Sequence, residues 1–201
     1  MLQAVSLSCQ RGGRYLFKDV SFHLQPSAWL RVAGDNGSGK TSLLRLITGL
    51  SPTEDGQVLW NQQPLQADRA AFHQNLLYLG HHNAVKDDLT PLENLQFAAR
   101  LCQQPISPNT ALLALQRMGL KSRAHVLVRH LSAGQQRRVL LARLLTQQAK
   151  LWVLDEPLTA LDVSAVALLT QLLQDHLALG GMAVLTSHQA LQLTAGQEVM
   201  L

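Results

Sequence analysis

GDNGSGKT at residues 34–41 matches the pattern G-x-x-x-x-G-K-[ST], in which a glycine-rich loop leads from a strand into a helix. The preceding WLRVA, residues 29–33, predicts the strand, and TSLLRLITGL predicts a helix from Thr41 that ends at Gly49. Glycines let successive backbone NH groups point inward, and the helix N-terminus adds a dipole that favours anions. An ordinary glycine-rich turn is the alternative, but a chance match in such a chain is on the order of one in a few thousand. The loop therefore predicts phosphate binding.

The side chains of this loop indicate how a nucleotide and a metal would be held. Lys40 would neutralise the β- and γ-phosphates, and the Thr41 hydroxyl would ligate Mg²⁺. A P-loop alone does not separate kinases, GTPases and transport ATPases, so it predicts Mg²⁺ and a nucleotide without deciding which nucleotide. We expect nucleotide contacts along the whole segment: Gly34, Asp35, Asn36, Gly37, Ser38, Gly39, Lys40, Thr41 and Ser42.

A second stretch, LWVLDE at residues 151–156, places two carboxylates after four apolar residues. Asp155 at the end of the predicted strand can hold Mg²⁺ through water, and Glu156 can polarise an attacking water. Two carboxylates in this position could merely mark a strand end that turns into solvent. Their combination with the P-loop favours the hydrolytic role, with Glu156 and Lys40 as catalytic residues.

Apolar strands alternate with helices over most of the chain, which predicts an α/β fold with a parallel sheet covered on both faces. A helical insertion at about 81–130 is expected within a nucleotide-binding core made of 1–80 and 131–201. All 201 residues would then form a single domain. The predicted strands cover 2–7, 20–24, 29–33, 57–60, 151–155 and 182–187, and the later helices cover 92–102, 110–118, 132–147 and 163–179.

The composition excludes several classes of protein. With 47% apolar residues the chain can build a core, which excludes a disordered tail. A net charge of +4 is too small to argue for nucleic acid, so none is expected as a partner. Two cysteines, Cys9 and Cys102, give no disulfide framework and fit a reducing compartment. No 18-residue apolar run is present, so we expect that the protein does not enter a membrane by itself.

LSAGQQRRVLLAR, residues 131–143, starts with an S-x-x-Q capping box between Ser132 and Gln135. Gly134 in the first helical turn is unfavourable for a helix, and a backbone that approaches a ligand closely would explain it. Here the chain resembles the ATP-binding-cassette (ABC) family, whose signature is LSGGQ. The order of P-loop, signature, LDEP and a late histidine carries this resemblance across essentially the whole chain.

The resemblance implies a P-loop NTPase, RecA-like core with an N-terminal antiparallel β region and a small helical subdomain. It implies an ATP-sandwich homodimer in which Ser132, Gly134 and Gln135 of one protomer act on the ATP of the other. Asp162 in TALD matches the position that touches the partner subunit. His188 in LTSH matches a catalytic switch histidine that contacts the γ-phosphate. Ala133 replaces a signature glycine and leaves those contacts intact.

Two further positions depart from the family pattern. His81, followed by His82, aligns with a glutamine that ligates the metal through water and senses the membrane subunit. A neutral imidazole can still meet a Mg²⁺-bound water, so His81 is a further candidate for the metal site, with a pH-sensitive coupling. The aromatic residue that stacks on adenine aligns with Arg11, and the nearby aromatic side chain is Tyr15. Either can stack on a base.

Three further stretches narrow the resemblance: LLYLGHHNAVK at residues 76–86, NGSGKTSLLRLITGL at residues 36–50 followed by GQVLWNQQPL at 56–65, and LSAGQQRRVLLARL at 131–144. With these segments the chain most resembles, among cassette ATPases, the ATP-binding subunit of the bacterial haem exporter used in cytochrome c maturation. That resemblance implies a peripheral subunit at the cytoplasmic face of the inner membrane, bound to an integral membrane permease. The ATPase of another small-substrate transporter is the alternative. A DNA-repair or translation ATPase fits less well, because it needs long coiled coils or two cassettes. No direct haem binding is expected, since no Cys-Pro or CxxCH motif is present.

Overall fold

A computed structural model describes the chain over residues 1–80, 84–187, 193 and 196–201. These residues form two compact units, of which the first takes in 1–81, 149–157 and 173–201 and the second 82–148 and 158–172. The expected division into a core of 1–80 and 131–201 around an insertion at 81–130 stays a prediction. The two compact units have different bounds: residues 131–148 and 158–172 belong to the unit that contains the helical segment.

Nine strands lie within the described ranges: β1 (Leu2–Arg11), β2 (Arg14–Leu24), β3 (Trp29–Ala33), β4 (Asp55–Trp60), β5 (Gln63–Pro64), β6 (Leu76–Leu79), β7 (Leu151–Leu154), β8 (Met182–Thr186) and β9 (Gly196–Met200). The α-helices in the same ranges are α1 (Lys40–Ile47), α2 (Arg69–Gln74), α3 (Pro91–Leu101), α4 (Pro108–Arg117), α5 (Ala133–Leu141) and α6 (Val163–Ala178). Short 3₁₀ helices cover Lys121–Arg123, Val128–His130 and Ala142–Leu145.

The first unit contains two sheets of different character. Strands β2, β1, β4 and β5 form an antiparallel sheet in that order, and strands β6, β7, β8, β3 and β9 form a parallel sheet in that order. Every residue of β7 and β8 is buried, as expected for a parallel sheet covered on both faces. The α/β fold, with a parallel core and an N-terminal antiparallel region, is thus confirmed.

Helix α1 connects the P-loop to the core of the first unit. Leu43, Leu44 and Ile47 on its buried face pack in one cluster with residues from both sheets, such as Leu7 and Val32. Fully burying a side chain of this kind contributes about 1.5–3 kcal/mol to the free energy of unfolding. The loop before α1 is therefore fixed at its helical end by packing.

The helices of the second unit begin at side-chain caps that the sequence predicts or allows. Thr90 and Glu93 form a capping box at α3 with Pro91 in the first turn, and Ser107 caps α4.

The helix predicted over 132–147 is shorter, since α5 ends at Leu141 and a 3₁₀ helix follows. Elements that the sequence analysis missed are β5, β6, β9 and α2, all six residues or fewer.

Candidate functional site

The loop between β3 and α1 depends on glycines at its two ends. Gly34 has a φ of 145° and Gly39 a φ of 107°, both in the region that favours glycine. A Cβ at Gly39 would lie 3.0 Å from atoms of Leu16 and Phe17, and one at Gly34 would lie 2.7 Å from the Ser38 Oγ. Side chains at these positions would force the loop out of shape.

Lys40 is held over the loop by the backbone of that same loop. Its Nζ donates hydrogen bonds to the carbonyl oxygens of Gly34 at 2.8 Å and Asp35 at 2.9 Å, and the residue is only 8% exposed. The Ser38 Oγ is buried and has no hydrogen-bond partner among the described residues. A buried cation beside an unpaired hydroxyl fits a bound phosphate, which can accept from both.

Two of the predicted metal ligands, Thr41 and Asp155, meet in the first unit. Thr41 Oγ1 donates a hydrogen bond of 2.8 Å to Oδ2 of Asp155, which is 2% exposed and directly follows β7. In the described part of the chain no group of three or more His, Cys, Asp or Glu side chains could hold a metal. Mg²⁺ in nucleotide sites is usually held by one or two protein groups together with phosphates and water.

Glu156 follows Asp155 in an unusual backbone conformation. Its φ of 46° lies in the left-handed region, which costs a non-glycine residue about 1–2 kcal/mol. The Glu156 NH donates to Thr186 Oγ1 at 2.7 Å, and that hydroxyl donates to Asp155 Oδ1 at 2.8 Å. No role was predicted for Thr186 from the sequence, although it lies within LTSH, residues 185–188.

The pKa of Tyr78 on β6 is affected by the charge of Asp155. Burial raises the pKa of its phenol, the nearby Asp155 carboxylate raises it further, and Arg45 opposes them. The phenol therefore stays neutral beside the carboxylate.

The signature residues lie in the second unit, at the start of α5. Ser132 and Gln135 form the predicted capping box: Gln135 NH donates to Ser132 Oγ at 3.3 Å, and Ser132 NH donates to Gln135 Oε1 at 3.0 Å. A Cβ at Gly134 would lie 3.1 Å from the Ala160 carbonyl oxygen. The chain's own backbone therefore also leaves little room for a side chain at this position, and the expected contact of Gly134 with a ligand stays a prediction.

Asp162 is engaged within its own chain. Its Oδ1 accepts hydrogen bonds from the NH of Ala165 at 2.8 Å and from the Ser164 hydroxyl at 2.9 Å, so it caps α6. Its Oδ2 pairs with Arg138 of α5. These interactions, led by the Ala165 NH, lower the pKa of the Asp162 carboxyl.

The two candidates for adenine stacking have different surroundings. Tyr15 is 42% exposed, and the Lys18 Nζ lies 3.8 Å from its ring centroid. Arg11 lines a cavity of about 300 Å³, whose wall also contains Arg45 and the P-loop residue Ser42. Arg11 thus shares a cavity wall with residues of helix α1.

The structure brings Lys40, Thr41, Asp155 and Glu156 into one unit. His81, His82 and His188 lie outside the described residues, so their roles stay predictions. Within the described ranges, no helix combines the length and apolar character needed to cross a bilayer.

Comparisons with known proteins show what the chain is similar to. The family model for "ABC transporter" matches residues 17–159. The cytochrome c biogenesis ATP-binding export protein CcmA of Aromatoleum aromaticum is 51% identical and covers 94% of this chain and 89% of that protein. The protein of the same name from Escherichia coli K12 is 49% identical, covering 95% and 90%.

Solved structures show the same fold at low sequence identity. An ABC transporter ATP-binding protein described as putative, from Pyrococcus furiosus, superposes with a TM-score of 0.85 at 22% identity, covering 98% of this chain and 96% of that one. A dimeric ATP-binding cassette in a post-hydrolysis state, bound to ADP and Pi, gives a TM-score of 0.79 at 23% identity, covering 94% and 88%.

Proposed function

This chain belongs to the ABC transporter family, and we propose that it is the ATP-hydrolysing subunit of a transporter that exports haem for c-type cytochrome biogenesis. The observation that carries the ATPase part is the 2.8 Å hydrogen bond between Thr41 and Asp155. It joins the phosphate-binding loop to the carboxylate that follows a buried strand, which is the arrangement expected of a Mg²⁺-ATP site. All 201 residues act as one ATPase domain.

In this proposal each side chain of the first unit has a distinct role. Lys40, held at the loop by the Gly34 and Asp35 carbonyls, neutralises phosphate charge. Thr41 and Asp155 hold Mg²⁺, which when bound neutralises charge on the phosphates. Glu156 accepts a proton from the attacking water. The backbone NH groups of 34–41 bind phosphate oxygens.

The signature residues act across an ATP-sandwich homodimer. Ser132, Gly134 and Gln135 at the N-terminus of α5 meet the ATP of the partner subunit, where the helix dipole favours a phosphate. Asp162 contacts the partner beyond the bonds that it makes in its own chain. His188 contacts the γ-phosphate, and His81 completes the metal site through water. The dimeric state of the solved cassette bound to ADP and Pi supports this arrangement.

Adenine stacks on Arg11 rather than Tyr15. Arg11 lines the cavity that also reaches Ser42, and a planar guanidinium stacks on an aromatic base. Tyr15 already carries the Lys18 ammonium over its ring.

Haem export is proposed from the relatives. Proteins named for cytochrome c biogenesis and export match nearly the whole chain, with 51% and 49% sequence identity. Their partner in this proposal is an integral, CcmB-like membrane permease, and the present chain attaches peripherally to it at the cytoplasmic face of the inner membrane. The haem itself is handled by membrane components.

Genetic complementation tests the proposal. A bacterium that lacks its own cytochrome c biogenesis ATP-binding export protein would receive this chain, or the chain with Lys40→Ala. We expect covalently bound haem in c-type cytochromes to return with the first and not with the second. Failure of the unchanged chain, with ATPase activity intact in the purified protein, would favour another small-substrate transporter.

A further inference from the structure

Thr186 is the last residue of β8 and the one hydroxyl in an otherwise apolar strand, MAVLT. It is fully buried at 0% exposure. Strands β7 and β8 pair in parallel through Leu154 and Leu185, so Thr186 directly follows the last pair beside Asp155. A buried hydroxyl is unfavourable unless it is hydrogen-bonded, and this one is bonded on both sides.

The direction of these hydrogen bonds follows from the chemistry of the groups. The Glu156 NH can only donate, so the Thr186 oxygen accepts that bond of 2.7 Å. The single hydroxyl proton then goes to Asp155 Oδ1 at 2.8 Å. Because Thr41 donates to the other oxygen of the same carboxylate, Asp155 is fixed by one hydroxyl at each oxygen. The carboxylate plane is thereby set by two residues 145 positions apart in sequence.

The same hydroxyl also restrains Glu156. The φ of 46° at Glu156 is a conformation that surrounding contacts must support. The hydrogen bond from the Glu156 NH to Thr186 Oγ1 supports this conformation directly, because it fixes the peptide group next to the Glu156 Cα. One side chain therefore contacts both carboxylate residues at the points that determine their orientation.

We propose that Thr186 is a positioning residue for ATP hydrolysis, which sets the carboxylate of Asp155 and the backbone of Glu156. This inference rests on the proposed ATPase function. Thr186 does not itself touch the reacting atoms. Its contribution is to keep a metal ligand and a general base in one geometry, and a misplacement of about 1 Å in such a geometry costs on the order of 100-fold in rate.

The test compares a substitution that removes the hydroxyl with one that keeps it. Thr186→Val keeps the shape and removes both bonds, whereas Thr186→Ser keeps the hydroxyl and removes a methyl group. Steady-state ATPase would be measured with the full chain and its permease, as a function of ATP and of Mg²⁺. For Thr186→Val we expect kcat to fall by about 10- to 100-fold, with KM for ATP little changed and more Mg²⁺ needed for half-maximal activity. Thr186→Ser should recover most of the wild-type rate.

The outcomes separate this inference from the proposed function. Equal kcat in wild type and Thr186→Val, or a Thr186→Ser variant as slow as Thr186→Val, would overturn the positioning role while leaving the ATPase proposal intact. Absence of Mg²⁺-dependent ATPase in the wild-type complex would overturn the proposed function. Circular dichroism would check folding, and if Thr186→Val is not folded, Thr186→Ala provides the same comparison with Thr186→Ser.

Discussion

Arg138 of α5 and Asp162 at the start of α6 form an ion pair in which the guanidinium also reaches a third element. Arg138 Nη2 meets Asp162 Oδ2, and Nη1 donates to the carbonyl oxygen of Met118, just after α4, at 3.2 Å. One side chain thus ties the signature helix to the cap of α6 and to the end of α4. Asp162 is therefore held in place by contacts within its own chain.

The first prediction concerns the two roles of Asp162. Asp162→Asn keeps the cap of α6 but removes the charge, whereas Asp162→Ala removes both, since asparagine caps helices as well as aspartate. We expect urea midpoints at pH 7 in the order wild type, Asp162→Asn, Asp162→Ala. In the folded protein the pKa of Asp162 lies below its ordinary value of 3.8. The ionised carboxylate therefore contributes fully to the free energy of unfolding above pH 3.8, and this contribution is lost as the pH falls through the folded pKa. The stability advantage of the wild type over Asp162→Asn should shrink in that pH range, and an advantage that stays constant would contradict the lowered pKa of Asp162.

The second prediction separates Lys40 from Glu156. Lys40→Ala removes the cation that lies over the P-loop, so ATP binding should weaken and turnover should fall on the order of 10²- to 10³-fold. Glu156→Gln keeps the phosphate and metal contacts but removes the base, so ATP should stay bound and trap a closed dimer. Nucleotide-binding titrations and size-exclusion chromatography with ATP measure both. Unchanged ATP affinity in Lys40→Ala, or normal turnover in Glu156→Gln, would refute these roles.

The third prediction concerns composite sites. Lys40→Ala and Ser132→Arg subunits should each be inactive as homodimers. Their heterodimer has one site with both lesions and one intact site, which joins Lys40 of one chain to Ser132 of the other. Partial ATPase activity should return on mixing, measured with the permease present after heterodimers are verified. Wild-type activity in the Ser132→Arg homodimer would rule out the shared site, and no recovery would indicate a monomeric mechanism or an obligatory two-site cycle.

The fourth prediction is that this subunit binds no haem stoichiometrically, although the chain has 8 histidines. A haem site needs axial ligands in a suitable pocket, and His81 and His82 are assigned to nucleotide coupling instead. Titration of the purified protein with haem should give no saturable one-to-one Soret shift. Such a shift, lost on His82→Ala, would show that the assignment is wrong.

The fifth prediction concerns His176, whose ring stacks on Trp152 at 3.8 Å with 4° between the planes. Burial lowers the pKa of His176 from 6.5, although carbonyl contacts with Met182 and Lys150 oppose this. The folded state therefore prefers the neutral imidazole. Stability contributed by this group is complete above pH 6.5 and decreases as pH falls towards the lower folded pKa, because the unfolded chain binds the proton first.

Urea denaturation between pH 5 and 8 measures this effect. His176→Phe keeps a ring for stacking but cannot titrate, so its stability should depend less on pH in that range. Fluorescence of the wild type should respond to protonation beside Trp152, with Trp152→Phe as the control for the other tryptophans. Equal pH dependence of stability in wild type and His176→Phe would contradict the prediction.

Much of the site could be read from sequence because its chemistry is local. The glycines and lysine of residues 34–41 act through a backbone loop a few residues long, and the strand that precedes Asp155 and Glu156 is contiguous with them. The capping box of Ser132 and Gln135 has the same character, since both partners lie within one helical turn. In each case the spacing alone fixes which groups can meet.

The limits of sequence appear where the partners are distant in the chain. Gly134 predicts a ligand near its backbone, and the sequence does not show that a Cβ there would also lie 3.1 Å from the Ala160 carbonyl oxygen. The strands β6 and β9 are short, and β9 has mostly exposed residues, so neither carries a strong period of its own. Their existence depends on pairing with β7 and β3, which only the assembled sheet supplies.

A phosphate-binding loop, two carboxylates after a buried strand and a capped signature helix can be predicted because each follows from residue types at short, fixed spacings. The folded chain is needed to show that Thr41 bonds Asp155, that Thr186 bonds both Asp155 and Glu156, and that Arg138 pairs with Asp162. These contacts join residues 24 to 114 positions apart. A hydrogen bond needs its two atoms within about 3 Å in a suitable direction, and over such separations only the packing of strands and helices sets that distance.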